Sequence, residues 1–504
     1  MVSLNVSKYR KSAEEFLSRM DKEYYLHFSG RKENLELDQI FAEYGWLFTY
    51  QNMEDLQQIQ KQQKGENKKR YAYLLKFCAE NLIEKQVQHI RQEIANDEAQ
   101  IQVKVEGNQV PFRFLDVMLA NEPVKQKRDK IEQVKNEKIA EILNDNLRLY
   151  WKQSHQQARH LGFKSYSLLF SSLKGEDFNH TLEGMKKLLD QTQDVYRKHF
   201  GNLVYTRLGI TLDQSSRSDF AYVKRGKEYD PYFKQDYMID AFSETLLGLD
   251  IDIYQQKNII FDIERRKNKS PRAFCSTVRI PEEIYLVVMP SGGQDDFEAF
   301  FHEGGHAQHF AHTSCTQPFE FKFLGDNAVT EGFAFLLESL MQNRWWLMDF
   351  IKMSPDAADQ FCYFSNLLKL WYCRRYAGKL EYELLLHDGS PIAGREKDYC
   401  QILGRACNMS YSPQSYMTDV DPGFYCTNYI RAWSFEAQLN QYLCTEYGNR
   451  WYSNRRAGNF LKEVWSYGQK YDAAEILEQL GFKQLDTDLL IDSLLSSVKS
   501  YKRL

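Results

Sequence analysis

One stretch constrains this chain more than any other: Phe297–His312, FEAFFHEGGHAQHFAH, in which His302, Glu303 and His306 spell H-E-x-x-H. On a helix, residues four apart share one face one turn apart, so two imidazoles point to the same place with a carboxylate beside them. Zn2+ takes neutral imidazole nitrogens at roughly 2.0–2.1 Å, and ligands on consecutive turns converge on one ion without bending the backbone. The motif therefore predicts a helix, one zinc ion, and Glu303 as the base for a water in the open coordination position. Gly304 and Gly305 each cost a helix interior about 1 kcal/mol relative to alanine. Such a cost predicts that a neighbouring helix or a substrate approaches the backbone closely there.

A catalytic zinc needs a third protein ligand, and the residues leave two candidates. His312 stands at the spacing of the pattern H-E-x-x-H-x-x-G-x-x-H, but His309 occupies the position where that pattern has the glycine that turns the chain back. If the helix continues, His312 lies roughly 15 Å along the axis from His302 and about 80° off the ligand face. His309 lies nearer that face, within reach of a substrate or of the packed interior. The other candidate is Glu331 in NAVTEGFAFLLE, 25 residues past His306 (331 minus 306), at the opening of a second apolar-striped helix. A glutamate there completes a His/His/Glu set if the two helices pack together. Glu338, on the same face two turns later, is placed to orient a ligand.

Bulk charge narrows the function classes. A net charge of -4 over 504 residues offers no general attraction for nucleic acid or an anionic membrane surface. The first twenty residues, MVSLNVSKYRKSAEEFLSRM, lack the apolar core of a secretory signal, and no stretch approaches 18 uninterrupted apolar residues, so a soluble, cytoplasmic protein is expected. Nine cysteines, scattered and without a C-x-x-C pair, point to reduced thiols in the core.

Long amphipathic patterns rich in Glu, Lys, Gln and Leu dominate the first 160 residues and read as a helical wall. Helical pattern continues to about residue 250, without a Gly/Ser or Pro linker to mark an independent domain. The texture then changes. IIFDIERRKN, RAFCSTVRI and EEIYLVVMP are short β-branched and aromatic runs that predict a small sheet, and Asp295 or Asp296 is placed to cap the helix of the motif. Ala273-Phe274-Cys275 is the candidate edge at which an extended peptide adds as a further strand. From Glu331 onward the pattern is helical again. The organisation expected is one unit over 1–504, with 1–250 as helical wall or lid and 251–504 carrying the sheet, the motif helix and the C-terminal helical part of the site.

These residues carry a family likeness. HEGGHAQHF followed by TEGFAFLLESL resembles the thimet oligopeptidase and oligoendopeptidase F family of zinc peptidases, with angiotensin-converting-enzyme-like peptidases as relatives. ARHLGFKSYSLLF, KNKSPRAFCSTV and GFYCTNYIRAWSFEAQL are similar to further segments of that family. The resemblance runs from about residue 150 to 445. It implies a mainly α, elongated two-lobed body split by a deep channel, a small sheet beside the zinc helix, and short peptides as substrates. It further implies zinc on His302, His306 and Glu331, Glu303 as the residue that activates water, and Tyr425 or Tyr429 as the phenol that donates to the oxyanion. Arg431, two residues past Tyr429, is implied as a contact for a substrate carboxylate or a structural anion. The chain also departs from the pattern. Those relatives carry a histidine just ahead of the tyrosines, whereas the last histidine here is His387, and Tyr416 to Phe424 offers Asp419 and Asp421 instead.

Taken together, the expected function is zinc-dependent hydrolysis of short unstructured peptides. A carboxypeptidase of the same clan is the alternative within the class, and a non-catalytic peptide-binding protein with structural zinc is the alternative outside it.

Overall fold

The computed structural model describes residues 4–499, and the chain is mainly α. The elements that position the site are α1 (Val6–Phe28), α2 (Gly65–Gln100), α3 (Asn144–His160), α4 (Tyr166–Lys174), α5 (Phe178–Leu208), α6 (Met238–Gly248), α7 (Gln294–His312), α8 (Asn327–Glu338), α9 (Pro355–Leu386) and α10 (Tyr425–Tyr447). Local chemistry sets many of their ends. Asn5, Ser165, Asp177, Asp326 and Ser354 each accept a backbone N–H from the first turn of the helix they precede, and Gly175 and Gly209 close α4 and α5 in the left-handed conformation. No helix of the described residues is long and apolar enough to cross a membrane.

Among the described residues five strands interrupt the helices. β1 (Gln102–Val105) and β2 (Asn108–Pro111) form an antiparallel hairpin, which interrupts the stretch before residue 160 where helical patterns dominate. The reason is local: Glu106 and Gly107 both take positive φ (49° and 88°), the two-residue turn that matches strand twist, and QVKV alternates exposed and buried residues. The expected sheet ahead of the motif helix is present as β3 (Ile259–Asp262), β4 (Phe274–Arg279) and β5 (Glu283–Val287). Its order is β3-β5-β4, with β3 parallel and β4 antiparallel to the central β5, so β4 is an edge strand.

Separate apolar cores divide the body. The largest runs from α3 through the C-terminal helices, and a second packs α1 and α2 around Phe16, Phe41, Phe48 and Phe77. Between these two parts lies a cavity of about 600 Å³. Met20 and Tyr24 of α1 with Tyr73 and Lys76 of α2 form one wall, and Tyr425, Asn428 and Arg431 of α10 form the other.

The sheet is tied to α1 by one buried charge cluster. Lys269, fully buried, donates to Asp262 Oδ1 at 2.9 Å and to the carbonyls of Asp262, Glu264 and Val288 at 2.7–2.9 Å. Arg266, Arg31 at 3.2 Å and Tyr25 at 3.0 Å also donate to the Asp262 carboxylate. Burial pushes the Asp262 carboxyl up, but Arg266, Lys269 and Tyr25 outweigh it and hold it at about 2. A depressed folded-state pKa contributes stability above the unfolded value, roughly 3.9, and loses it as pH falls through the folded one. Asp262→Asn should therefore destabilise the protein by about 3–5 kcal/mol at neutral pH, by leaving Lys269 buried and unpaired. The gap from wild type should narrow between pH 4 and pH 2 in denaturant titrations followed by circular dichroism.

Candidate metal centre

The motif lies on α7 as expected, and the helix runs unbroken to His312. Its N-cap is Gly293 rather than an aspartate. Asp296 instead reaches back and accepts the N–H groups of Ser291 and Gly292. One face of α7 is fully packed by Phe297, Phe300, Phe301 and Ala307, while His302, Glu303 and His306 lie on the more open side.

The two glycines explain how a second helix reaches this face. A Cβ at Gly305 would stand 2.6 Å from Ala334 Cα and 2.7 Å from the Phe333 carbonyl oxygen, so α7 and α8 meet backbone to backbone. A Cβ at Gly304 would stand 2.5 Å from the Phe242 ring of α6. On α8, Gly332 does the same for α10, where a Cβ would meet the Phe435 ring at 2.1 Å. These approaches set Glu331 over the two histidines.

The result is a cluster in which one donor atom each from His302, His306 and Glu331 lies within 4.8 Å of the others. Glu331 Oε2 stands 3.4 Å from His302 Nε2 and 3.5 Å from His306 Nε2. Ligands at roughly 2.0–2.1 Å around a tetrahedral ion are about 3.3–3.4 Å apart, so the spacing fits zinc. The hydrogen bonds agree. His302 Nδ1 donates to Glu338 Oε2 and His306 Nδ1 to Thr330 Oγ1, each at 2.8 Å, which turns both Nε2 lone pairs inward. Glu331 Oε1 accepts the Tyr425 hydroxyl at 2.6 Å, while its Oε2 is buried without a hydrogen-bond partner. An orphaned carboxylate oxygen facing two imidazole lone pairs is a place for a cation.

The charges say the same. Burial pushes the Glu331 carboxyl up, but His306 and His302 outweigh it and hold it well below the usual carboxylate range. Burial pushes His302 down, but Glu331 and Glu338 outweigh it and raise it well above an ordinary histidine. Positive charge is favoured at this point. Glu303, beside the cluster, accepts the Cys275 N–H on its Oε2 at 2.8 Å, and burial raises its carboxyl. That N–H belongs to the edge strand β4, so its unpaired side faces the base.

The fold has known counterparts. PZ peptidase A, solved with an inhibitor, superposes with a TM-score of 0.69 over 99% of this chain and 97% of its own, at 13% identity. A protein from Bacillus anthracis str. Ames assigned as an oligoendopeptidase F superposes with a TM-score of 0.66 over 95% of this chain and 84% of its own, at 14% identity. This chain has their fold. No family model matches it, and no curated protein does.

Other expected residues divide. Tyr429 presents its ring to Tyr425, Tyr376 and Phe335, and burial, then Glu331, Tyr376, Asp421 and Glu303, hold its phenol well above the usual value. It lies within electrostatic reach of Glu331 and Glu303, and its hydroxyl makes no hydrogen bond among the described residues. Ala273 directly precedes β4, beside the Cys275–Glu303 contact. His309 corrects the expectation of a substrate contact. It is fully buried, donates from Nε2 to the Gly468 carbonyl at 3.2 Å, and packs on Phe333, because one turn past His306 the same side of the helix is covered by α8 and the Gly468 backbone. Arg431 is engaged by Asp326 through two bonds of 2.8 and 2.7 Å. Asp326 also caps α8, so this arginine holds a structural anion. His312 donates to Gln308 O and packs on Trp465, away from the cluster.

Where the resembled family carries a histidine, this chain builds an anchor. Asp419 is bound by Arg375, Arg217 and Tyr399, and Asp421 by Lys379, which fastens the segment leading into α10. His387 pairs with His155 at 2.7 Å and meets the Phe424 ring edge-on. Thr330 was not foreseen: its only signal was its place one residue ahead of Glu331.

Gly305→Ala should lower the melting temperature and, if the cluster holds zinc, weaken its binding at least about tenfold, since displacement of α8 carries Glu331 with it. Chelator competition against a zinc indicator measures this.

Proposed function

We propose that this protein is a zinc-dependent peptidase that hydrolyses short, unstructured peptides admitted to the cavity between its two helical parts. The observation that carries the reading is the convergence of His302 Nε2, His306 Nε2 and Glu331 Oε2 beside a carboxylate, Glu303, that faces an unpaired strand edge. His302, His306 and Glu331 would hold zinc. Bound there, zinc supplies Lewis acidity toward a carbonyl oxygen and lowers the pKa of water.

The chain's own residues supply the rest. A peptide laid along the free side of β4 at Ala273-Phe274-Cys275 is held extended by main-chain hydrogen bonds, which suits substrates without secondary structure. Glu303 takes the proton of the attacking water and passes it to the leaving amine. Burial keeps that carboxylate more basic than in solution, which suits both transfers. Tyr429 donates to the carbonyl oxygen as it gains negative charge, and Tyr425, engaged with Glu331, holds the metal-binding carboxylate in place. Because Arg431 is neutralised by Asp326, nothing in this reading requires a free C-terminal carboxylate on the substrate.

A quenched-fluorescent peptide library incubated with zinc-loaded protein should be cleaved at internal bonds, whether the C-termini are free or amidated. Dependence on a free C-terminus would instead make it a carboxypeptidase, and stoichiometric binding without cleavage would make it a binding protein. Glu303→Gln should lower kcat by about 10²–10⁴-fold with one zinc per chain retained by elemental analysis. Tyr429→Phe should lower kcat by about 10²–10³-fold with KM little changed, the loss expected for one oxyanion donor.

A further inference from the structure

The turn that joins α4 to α5 grips the first turn of α10. Lys174, the last residue of α4, donates to the Phe424 carbonyl at 2.9 Å, to Thr427 Oγ1 at 3.2 Å and to Asn428 Oδ1 at 3.3 Å. An ammonium has three protons, and here all three find acceptors on the one turn that carries Tyr425 and leads to Tyr429. Gly175 follows at φ +65°, and the reversal brings Glu176 to the same turn, where its Oε2 accepts the Thr427 hydroxyl at 3.0 Å.

Two features make this more than ordinary packing. A cation at a helix N-terminus opposes the helix dipole, so the position of Lys174 is one that helix electrostatics disfavours. In addition, Phe424 takes φ +54° and ψ 45°, a left-handed conformation that is unfavourable for a residue with a side chain. The lysine binds the carbonyl of that strained residue. Burial lowers the pKa of its ammonium, with Glu176 as the main opposing charge, so the group is held there against both solvation and the dipole. The turn so held places Tyr425 with its hydroxyl 2.6 Å from Glu331 Oε1, which leaves Oε2 for the histidines.

We propose that Lys174, together with Glu176, is a positioning residue for the metal centre: it locks Phe424–Asn428 so that Tyr425 orients Glu331. This rests on the reading of His302, His306 and Glu331 as the zinc ligands. Lys174 is not among the ligating residues; it lines the cavity beside Tyr425 and Asn428, and its influence on the ligands passes along the chain Lys174, first turn of α10, Tyr425, Glu331.

The test is a double-mutant cycle read as zinc affinity of the full-length protein, by chelator competition, with peptide cleavage measured alongside. Lys174→Met is expected to weaken zinc binding by about five- to tenfold, Tyr425→Phe by about tenfold or more, and the double variant no more than about twofold beyond Tyr425→Phe alone. A merely structural role would lower the melting temperature and add its full effect in the Tyr425→Phe background. Wild-type affinity in Lys174→Met, or full additivity, overturns the proposal. Should Lys174→Met fail to fold, Thr427→Val removes one of the three acceptors and the Glu176 contact, and the same cycle is read with it. Wild-type protein that binds one zinc and cleaves no peptide overturns the peptidase reading while the cycle still decides this one. Wild-type protein that binds no zinc overturns both.

Discussion

The contact on which the site depends is the backbone approach of α7 to α8 at Gly305, where no side chain fits between the helix and Ala334. Everything chemically useful follows from that distance. With α8 so close, Glu331 places one carboxylate oxygen 3.4–3.5 Å from two imidazole nitrogens, a spacing that suits a shared cation. Gly332 repeats the device one layer out and admits α10, which brings Tyr425 to the other oxygen of the same carboxylate. Three helices are thus stacked by glycines, and each contributes a polar group to one point.

The surroundings are built to hold those groups still. Glu338 and Thr330 turn the imidazoles, Tyr425 turns the carboxylate, and the Asp262 cluster fastens the loop that delivers β4 to Glu303. The segment ahead of α10 shows the same economy. Asp419 and Asp421 pair with Arg375, Arg217 and Lys379, and Lys174 binds the strained lead into the helix. Buried ion pairs of this kind add little net stability over an apolar core, but they specify a geometry. Their concentration around the tyrosine helix matches a need for precise placement rather than for stability.

Much of this was legible in the residues. His302, Glu303 and His306 follow from a spacing that the helix repeat alone converts into geometry, and the small sheet with its candidate edge strand follows from β-branched runs and turn residues. The penalty of two adjacent glycines in a helix pointed to a close neighbour before that neighbour was known. The hairpin at Gln102–Pro111 was overlooked because four-residue strands leave too short a pattern to stand out between long helices.

What tertiary structure decided is whatever depends on direction across long sequence separations. Arg431 and His309 stood at suggestive positions, yet one faces Asp326 and the other Gly468, partners 105 and 159 residues away in sequence. Which tyrosine is tied to the ligand and which is free turned on a single bond between residues 94 apart. The role of Lys174 rests on contacts some 250 residues distant that carry no local pattern at all. The sequence by itself determined the motif helix, its two histidines and its base, because an α-helix turns local spacing into three-dimensional position. The orientation of Glu331, the different partners of the two tyrosines and the anchoring of their helix were decided only by packing, because they depend on which helix faces meet.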